Sequence, residues 1–229
     1  MTAVLVQLQT RLGYTFRDPS LLLCAVTHTS FVQDEPTAEN NQRLEFLGDS
    51  VLQLILTEAL YRIYPADREG QLSRRRAALA NGVFLARLAR DLELDTCLRL
   101  GSSEESTGGR ARAAASEDAF EALVGALYLD SDLATTQRIV LALYGPLADR
   151  LAVVEDSGNP KGRLQELIQP EHGNNALRYT VVRIEGQDHA RAYEVTVHLQ
   201  DRLLGTGRGT SKKLAEESAA HAALKVLAE

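Results

Sequence analysis

At 229 residues and 45% hydrophobic content, the chain can form one large domain or two small ones, and it is apolar enough to bury a core. Its net charge of −6 argues, taken alone, against a nucleic-acid partner, because phosphate binding leaves a basic footprint. No apolar run approaches the roughly 18 residues of a membrane span, and Thr2 to Arg17 lacks the basic-then-apolar order of a secretion signal. A cytoplasmic protein without membrane contact is expected.

The charge is unevenly spread. Residues 1–155 hold 15 Arg and no Lys against 21 acids, whereas residues 156–229 hold 10 basic and 10 acidic side chains, with all four lysines. Cys24 and Cys97 stand in apolar surroundings without partner histidines, which indicates reduced core residues rather than a zinc site or a disulfide.

Up to about residue 150 the apolar residues recur at three and four, which predicts helices over 3–12, 19–27, 40–63, 72–92, 115–129 and 132–150. Tyr64 to Asp67 breaks the third, and Gly101 to Gly109 reads as an exposed loop. The small, polar stretch Glu155 to Pro160 has linker composition, and the grammar changes after it. A short helix over 160–169 is followed by β-branched, alternating runs over 177–185 and 190–199 and a short strand near 202–208. An alanine-rich helix from Ser211 to Leu227 closes the chain. The expected fold is multidomain, an all-α domain followed by a small α+β domain of order α-β-β-β-α.

Two pairs of carboxylates interrupt helices that are otherwise strongly apolar. Glu45 and Asp49 lie four apart, Asp118 and Glu121 three apart, so each pair shares a helix face and can converge on one point. Burying ionised carboxylates costs several kcal/mol each unless a cation compensates, and the nearby arginines, Arg43 among them, are few. Four acids with no Cys or His suit Mg²⁺, with Mn²⁺ as a substitute, better than zinc. Acids at this spacing also arise as solvent-facing helix charges, and periodicity alone does not separate the two readings. Gly48 and Gly125 lie within these same helices, where each costs about 1 kcal/mol relative to alanine, and they point to close helix approach.

The stretch Asn41 to Leu52 resembles the signature of the ribonuclease III family, and Asp118 to Asp130 resembles its second acidic motif. Thr27 to Phe31, Glu69 to Ser73 and Gly108 to Arg110 resemble further family segments in the family order, so the resemblance covers essentially the whole chain. It implies an all-α catalytic and dimerisation domain over 1–154, a flexible linker over 155–160 and a double-stranded-RNA-binding domain over 161–229. By that resemblance Glu45, Asp49, Asp118 and Glu121 are metal-binding acids, with Asp49 and Glu121 the catalytic pair, and Glu69 lines the cutting site. Gln42 stands at a cutting-site position where many members carry glutamate, which loses a charge. Ser116 and Glu117 replace a more usual apolar or small pair, and Glu117 reads most simply as an exposed helix residue. His28 reads as a packing residue rather than a general base, since the family chemistry uses metal-bound water.

The second domain resembles a double-stranded-RNA-binding domain, with Thr210 to Ala220 as its best local marker. Lys212 and Lys213 begin a helix whose N-terminal dipole favours phosphate, with Ser211 just before them. Gln165, Glu166 and His189 match family positions that meet successive minor grooves, where 2′-hydroxyls distinguish RNA from DNA. Gly162 stands where many relatives have a hydroxyl residue.

The resemblance implies a homodimer that hydrolyses duplex RNA with two ions, one generating hydroxide and one stabilising the leaving 3′-oxygen. The products would carry 5′-phosphate and 3′-hydroxyl ends with short 3′ overhangs, from processing of ribosomal, messenger and other precursors. No organic cofactor is implied. Two other readings are a non-catalytic duplex-RNA-binding protein, supported by Gln42 alone, and a helical scaffold, which leaves the paired acids unexplained.

Overall fold

A computed structural model of the chain describes residues 2–158, 160–173, 175–186 and 191–228. Backbone contacts divide it into two compact units, Met1–Leu151 and Ala152–Glu229, a helical unit and a small α-β-β-β-α unit, which is the expected order.

In the first unit α1 (Ala3–Leu12) and α2 (Pro19–Ala25) lead to the long α3 (Gln42–Ile63). Asp18 caps α2, its Oδ1 accepting from Ser20 N at 2.9 Å, with Pro19 pre-set for the first turn. The stretch expected as one helix over 72–92 is two, α4 (Glu69–Leu79) and α5 (Gly82–Asp91). The cause is Asn81, whose Oδ1 accepts from Phe84 N at 3.0 Å and so starts a new helix. After α6 (Leu94–Cys97), the stretch expected as a loop contains the short helix α7 (Ser102–Ser106). Ion pairs of Glu104 with Arg112 and of Glu105 with Arg110 brace this segment.

Next come α8 (Ala113–Asp130), α9 (Leu133–Tyr144) and α10 (Leu147–Gly158). The predicted helix over 132–150 is thus also divided, at Gly145, whose φ of 67° no helix accommodates, and at Pro146. Helix α10 carries on through Gly158, and α11 (Pro160–His172) begins two residues later.

The core of this unit is α8, which buries Ala119, Phe120, Ala122, Leu123, Val124, Ala126 and Leu127 around nearly its whole circumference. Burying each Leu, Val or Phe of this kind contributes about 1.5–3 kcal/mol. Helix α3 buries Leu44, Val51, Leu52, Ile55, Leu56, Ala59 and Leu60 and leaves Leu54 and Ile63 exposed. The two helices touch backbone to backbone, Gly48 against Glu121 and Gly125 against Leu44, so the close approach expected from the two glycines occurs, and they meet each other. The C-terminal end of α8 is pinned by Asp130, which accepts from Tyr14 Oη (2.7 Å), Arg17 N (2.8 Å) and Asp18 N (2.8 Å). Cys97 is buried, Cys24 is half-buried, and both are unbridged.

In the second unit β1 (Leu177–Glu185), β2 (Ala192–Leu199) and β3 (Arg202–Gly209) form an antiparallel sheet in that order, followed by α12 (Lys212–Ala228). One sheet face packs on α11 and α12 through Leu164, Ile168, Val195, Val197, Leu204, Ala215 and Ala219. Gly205, Gly207 and Gly209 put bare strand backbone against the α12 backbone from Leu214 to Ala223, an approach that any side chain would block.

Candidate metal centre and nucleic-acid interface

The crossing of α3 and α8 sets the site. Because Gly48 admits the backbone of Glu121, the acids of the two helices face one another rather than being held apart by side chains. Burial, and then the charges of Asp49, Glu117, Glu45 and Asp118, raise the Glu121 carboxyl from 4.5 to about 7. Burial, then Asp118, Glu117 and Asp49, likewise push Glu45 up. Asp118 is raised by burial, with His28 opposing. Asp49 is oriented by Gln53, whose Nε2 donates to its Oδ1 at 3.3 Å.

The structure therefore gathers Glu45, Asp49, Asp118 and Glu121, and it adds a fifth acid. Glu117 is half-buried rather than exposed, with its carboxylate packed against Gly82 at the start of α5, and burial followed by Asp118 raises its pKa. The signal was available: Glu117 lies four residues before Glu121, the same spacing that links Glu45 to Asp49.

None of the five forms an ion pair with Lys or Arg among the described residues. Nor, among those residues, are three acid, His or Cys side chains already drawn into a metal-holding group. Carboxylates in mutual repulsion stand apart, and a magnesium ion, which keeps several waters, needs only one or two of them directly. The all-oxygen donor set and the uncompensated negative charge fit a hard divalent cation.

Gln42 is exposed at the first residue of α3, its N–H held by Asn40 Oδ1 at 3.2 Å. Glu69 is exposed at the first residue of α4 and accepts from Ser73 Oγ at 2.9 Å, and it is not among the charges felt by Glu45 or Glu121. His28 shares its Nδ1 with Ser30 Oγ at 2.9 Å and accepts from Ser30 N, so it caps a turn.

In the second unit Lys212 and Lys213 are exposed at the first turn of α12, each only 3.9 Å from a glutamate one turn on, Glu216 and Glu217. Ser211 Oγ accepts from Leu214 N at 3.2 Å, the cap that starts this helix. Gln165 is half-buried and Glu166 exposed on α11. His189 lies outside the described residues. A lysine that sequence reasoning passed over, Lys161, bonds Glu216 Oε2 at 2.6 Å and lies 4.7 Å from the centre of the Tyr179 ring, so it ties α11 to α12 and the sheet.

Residues 18–146 match the Ribonuclease-III-like family, and residues 160–227 match the double-stranded RNA binding motif. The chain is 44% identical over 230 residues to Ribonuclease 3 of Pseudomonas putida, covering 99% of this chain and 97% of that protein. It is 43% identical, with the same coverage, to Ribonuclease 3 of Pseudomonas aeruginosa. Among solved structures, the nuclease domain of ribonuclease III from Campylobacter jejuni superposes with a TM-score of 0.58 at 38% identity, covering 62% of this chain and 94% of that one. A second structure of that domain, described as showing flexibility in a region involved in dimer formation, gives 0.57 at 39% identity, covering 60% and 93%. No helix among the described residues is long and apolar enough to cross a membrane.

Proposed function

The chain belongs to the ribonuclease III family and is an endoribonuclease of double-stranded RNA, and from that premise we propose that Glu45, Asp49, Asp118 and Glu121 hold Mg²⁺, with Mn²⁺ able to replace it. The family is metal-dependent. The observation that carries the reading is that Asp49, Glu45 and Asp118 act electrostatically on Glu121 across two helices in backbone contact, with none of the four in an ion pair with Lys or Arg among the described residues. A bound divalent ion would supply Lewis acidity and charge neutralisation at the phosphodiester.

The chain's own groups do the rest. Asp49 is aimed by Gln53, and Glu121, whose carboxyl is raised by burial and by its acidic neighbours in the absence of metal, would give up that proton on holding the ion. Hydrolysis adds water across one phosphodiester: the new bond forms at phosphorus, the bond to the 3′-oxygen breaks, and that oxygen takes a proton. The ends are then 5′-phosphate and 3′-hydroxyl. Gln42 and Glu69 line the cutting site from the starts of α3 and α4.

Residues 1–154 carry catalysis and dimerisation, 155–160 link, and 161–229 bind duplex RNA. Lys212 and Lys213 meet backbone phosphate beside Ser211, while Gln165, Glu166 and His189 meet minor-groove 2′-hydroxyls. The dimer partner is a second copy, for which α3 offers an apolar stripe: Phe46, Leu54 and Tyr61 share one arc of its surface and are 80%, 51% and 72% exposed. Two centres acting on opposite strands produce the short 3′ overhang. Ribosomal and messenger precursors in the cytoplasm are the expected targets.

The test is Glu121→Gln on a labelled RNA duplex, with Mg²⁺ and with chelator. Cleavage should collapse while duplex binding survives; full activity of the variant, or of the parent without divalent metal, would remove the assignment.

A further inference from the structure

We propose that the open cleft between α3 and α4, about 450 Å³ and lined by Asp49, Gln53, Ser73, Arg76, Ala77 and Ala80, is a phosphate subsite in which Arg76 grips the RNA backbone next to the bond that is cut. It rests on the reading of Asp49 as part of the cutting site.

Helix α4 carries three successive arginines, and their surroundings differ. Arg74 is exposed. Arg75 is committed: its Nε bonds Asp67 Oδ2 at 2.8 Å and its guanidinium lies 4.1 Å from the centre of the Tyr64 ring, closing the turn between α3 and α4. Arg76 is half-buried, donates from Nη1 to Thr57 Oγ1 at 2.9 Å, and has no ion pair among the described residues. A guanidinium carries five N–H donors in a planar fork that matches two phosphate oxygens, and here one hydroxyl accounts for one donor.

The anchoring runs back to the metal-binding acids. Thr57 Oγ1 donates to the Gln53 carbonyl at 2.6 Å, and the Gln53 side chain donates to Asp49. Asp49, Gln53 and Thr57 follow one another at four-residue steps on one face of α3, so Arg76 is braced on the same helix surface that presents Asp49. Carboxylates alone repel a phosphodiester. A cation fixed beside them, with its fork facing the same cleft, holds the neighbouring phosphate while the acids keep their metal.

The experiment uses the full-length protein with Arg76→Ala, Arg76→Lys and Arg76→Gln. Steady-state cleavage of an RNA duplex is measured with Mg²⁺, and duplex binding against salt concentration is measured in the Glu121→Gln background. Arg76→Ala should lower kcat/KM about 10- to 100-fold, the range for a lost charge-assisted hydrogen bond, and through KM, because the contact exists before and during the reaction. The slope of log affinity against log salt should fall by about one for each lost phosphate contact. Arg76→Lys should keep the slope. Arg76→Gln, which can retain the bond to Thr57, must lower the slope even if the alanine variant melts early. Unchanged kcat/KM and slope in a folded variant overturns the subsite, as does lost activity with slope and KM unchanged, which marks a prop for α4. A parent that cuts no duplex fails the metal-centre reading instead.

Discussion

The backbone of Gly48 lies so close to the carbonyl of Glu121 that a β-carbon on Gly48 would overlap that oxygen. Gly48→Ala should therefore push α3 from α8, costing about 1–3 kcal/mol as overpacking does, and lower cleavage at fixed Mg²⁺ more than the stability loss alone explains. Gly70→Ala is the contrast, since nothing lies within 4 Å of a β-carbon there; it should leave stability equal or raise it slightly. Urea melts and single-turnover rates on both variants decide the matter, and a fully active, unperturbed Gly48→Ala would contradict the crossing.

Glu121 gives the acid centre a pH signature. Its carboxyl is raised from 4.5 to about 7 in the folded chain, so the folded state binds an extra proton between those values. Stability from this group is fully present below about 4.5 and is lost as pH rises through about 7. In chelator, Glu121→Gln should then melt above the parent at pH 8 and level with it near pH 5. A divalent ion held at Glu121 as proposed would compete with that proton, so the stabilisation of the parent by Mg²⁺ should weaken as pH falls below about 7. Thermal melts across pH check both signs; a variant less stable than the parent at pH 8 without metal would reverse the electrostatics.

Asp130 makes the opposite case. Burial pulls its pKa up, but hydrogen bonds from Tyr14, Arg17 N and Asp18 N outweigh it, and the net value is lowered. Its contribution is present above the ordinary carboxylate range and is lost as pH falls through the lowered folded value. Asp130→Ala removes the acceptor of three part-buried hydrogen bonds and should cost about 1–3 kcal/mol in a urea melt at pH 7; Tyr14→Phe should cost less, because two backbone bonds remain.

Lys212 and Lys213 predict a binding effect without a chemical one. Replacing both with alanine should weaken duplex binding uniformly across sequences and reduce the salt slope by about two, while single-turnover cleavage at saturating enzyme stays near the parent rate. Ser211→Ala should instead lower the stability of the small unit by about 1 kcal/mol through the lost cap. A filter-binding series over salt separates the two; an unchanged slope in the double lysine variant would remove these residues from the interface.

The paired acids were legible in the sequence because three- or four-residue spacing on a helix survives any packing, and the two glycines were legible because they are costly where they stand. Glu117 has the same spacing to Glu121, but its burial depends on Gly82, brought in from α5, and no local pattern carries that contact. The division of α4 from α5 was hidden because the apolar period runs through Ala80 while the deciding feature is one side-chain bond from Asn81. Three adjacent arginines look alike in a sequence. What distinguishes Arg75 from Arg76 is Asp67 and Tyr64 on one side and Thr57 on the other.

The seam between β3 and α12 has a consequence for measurement by the molecule itself. With Gly205, Gly207 and Gly209 presenting only peptide backbone to the helix, no rotamer change can let α12 slide or roll along the strand. The start of α12 thus keeps one bearing relative to α11 and the sheet. Duplex RNA is recognised largely by the fixed intervals of its A-form surface, and a reader of intervals must itself not stretch. The three glycines make this small unit a rigid gauge, in which one added methyl group would misset every contact it compares.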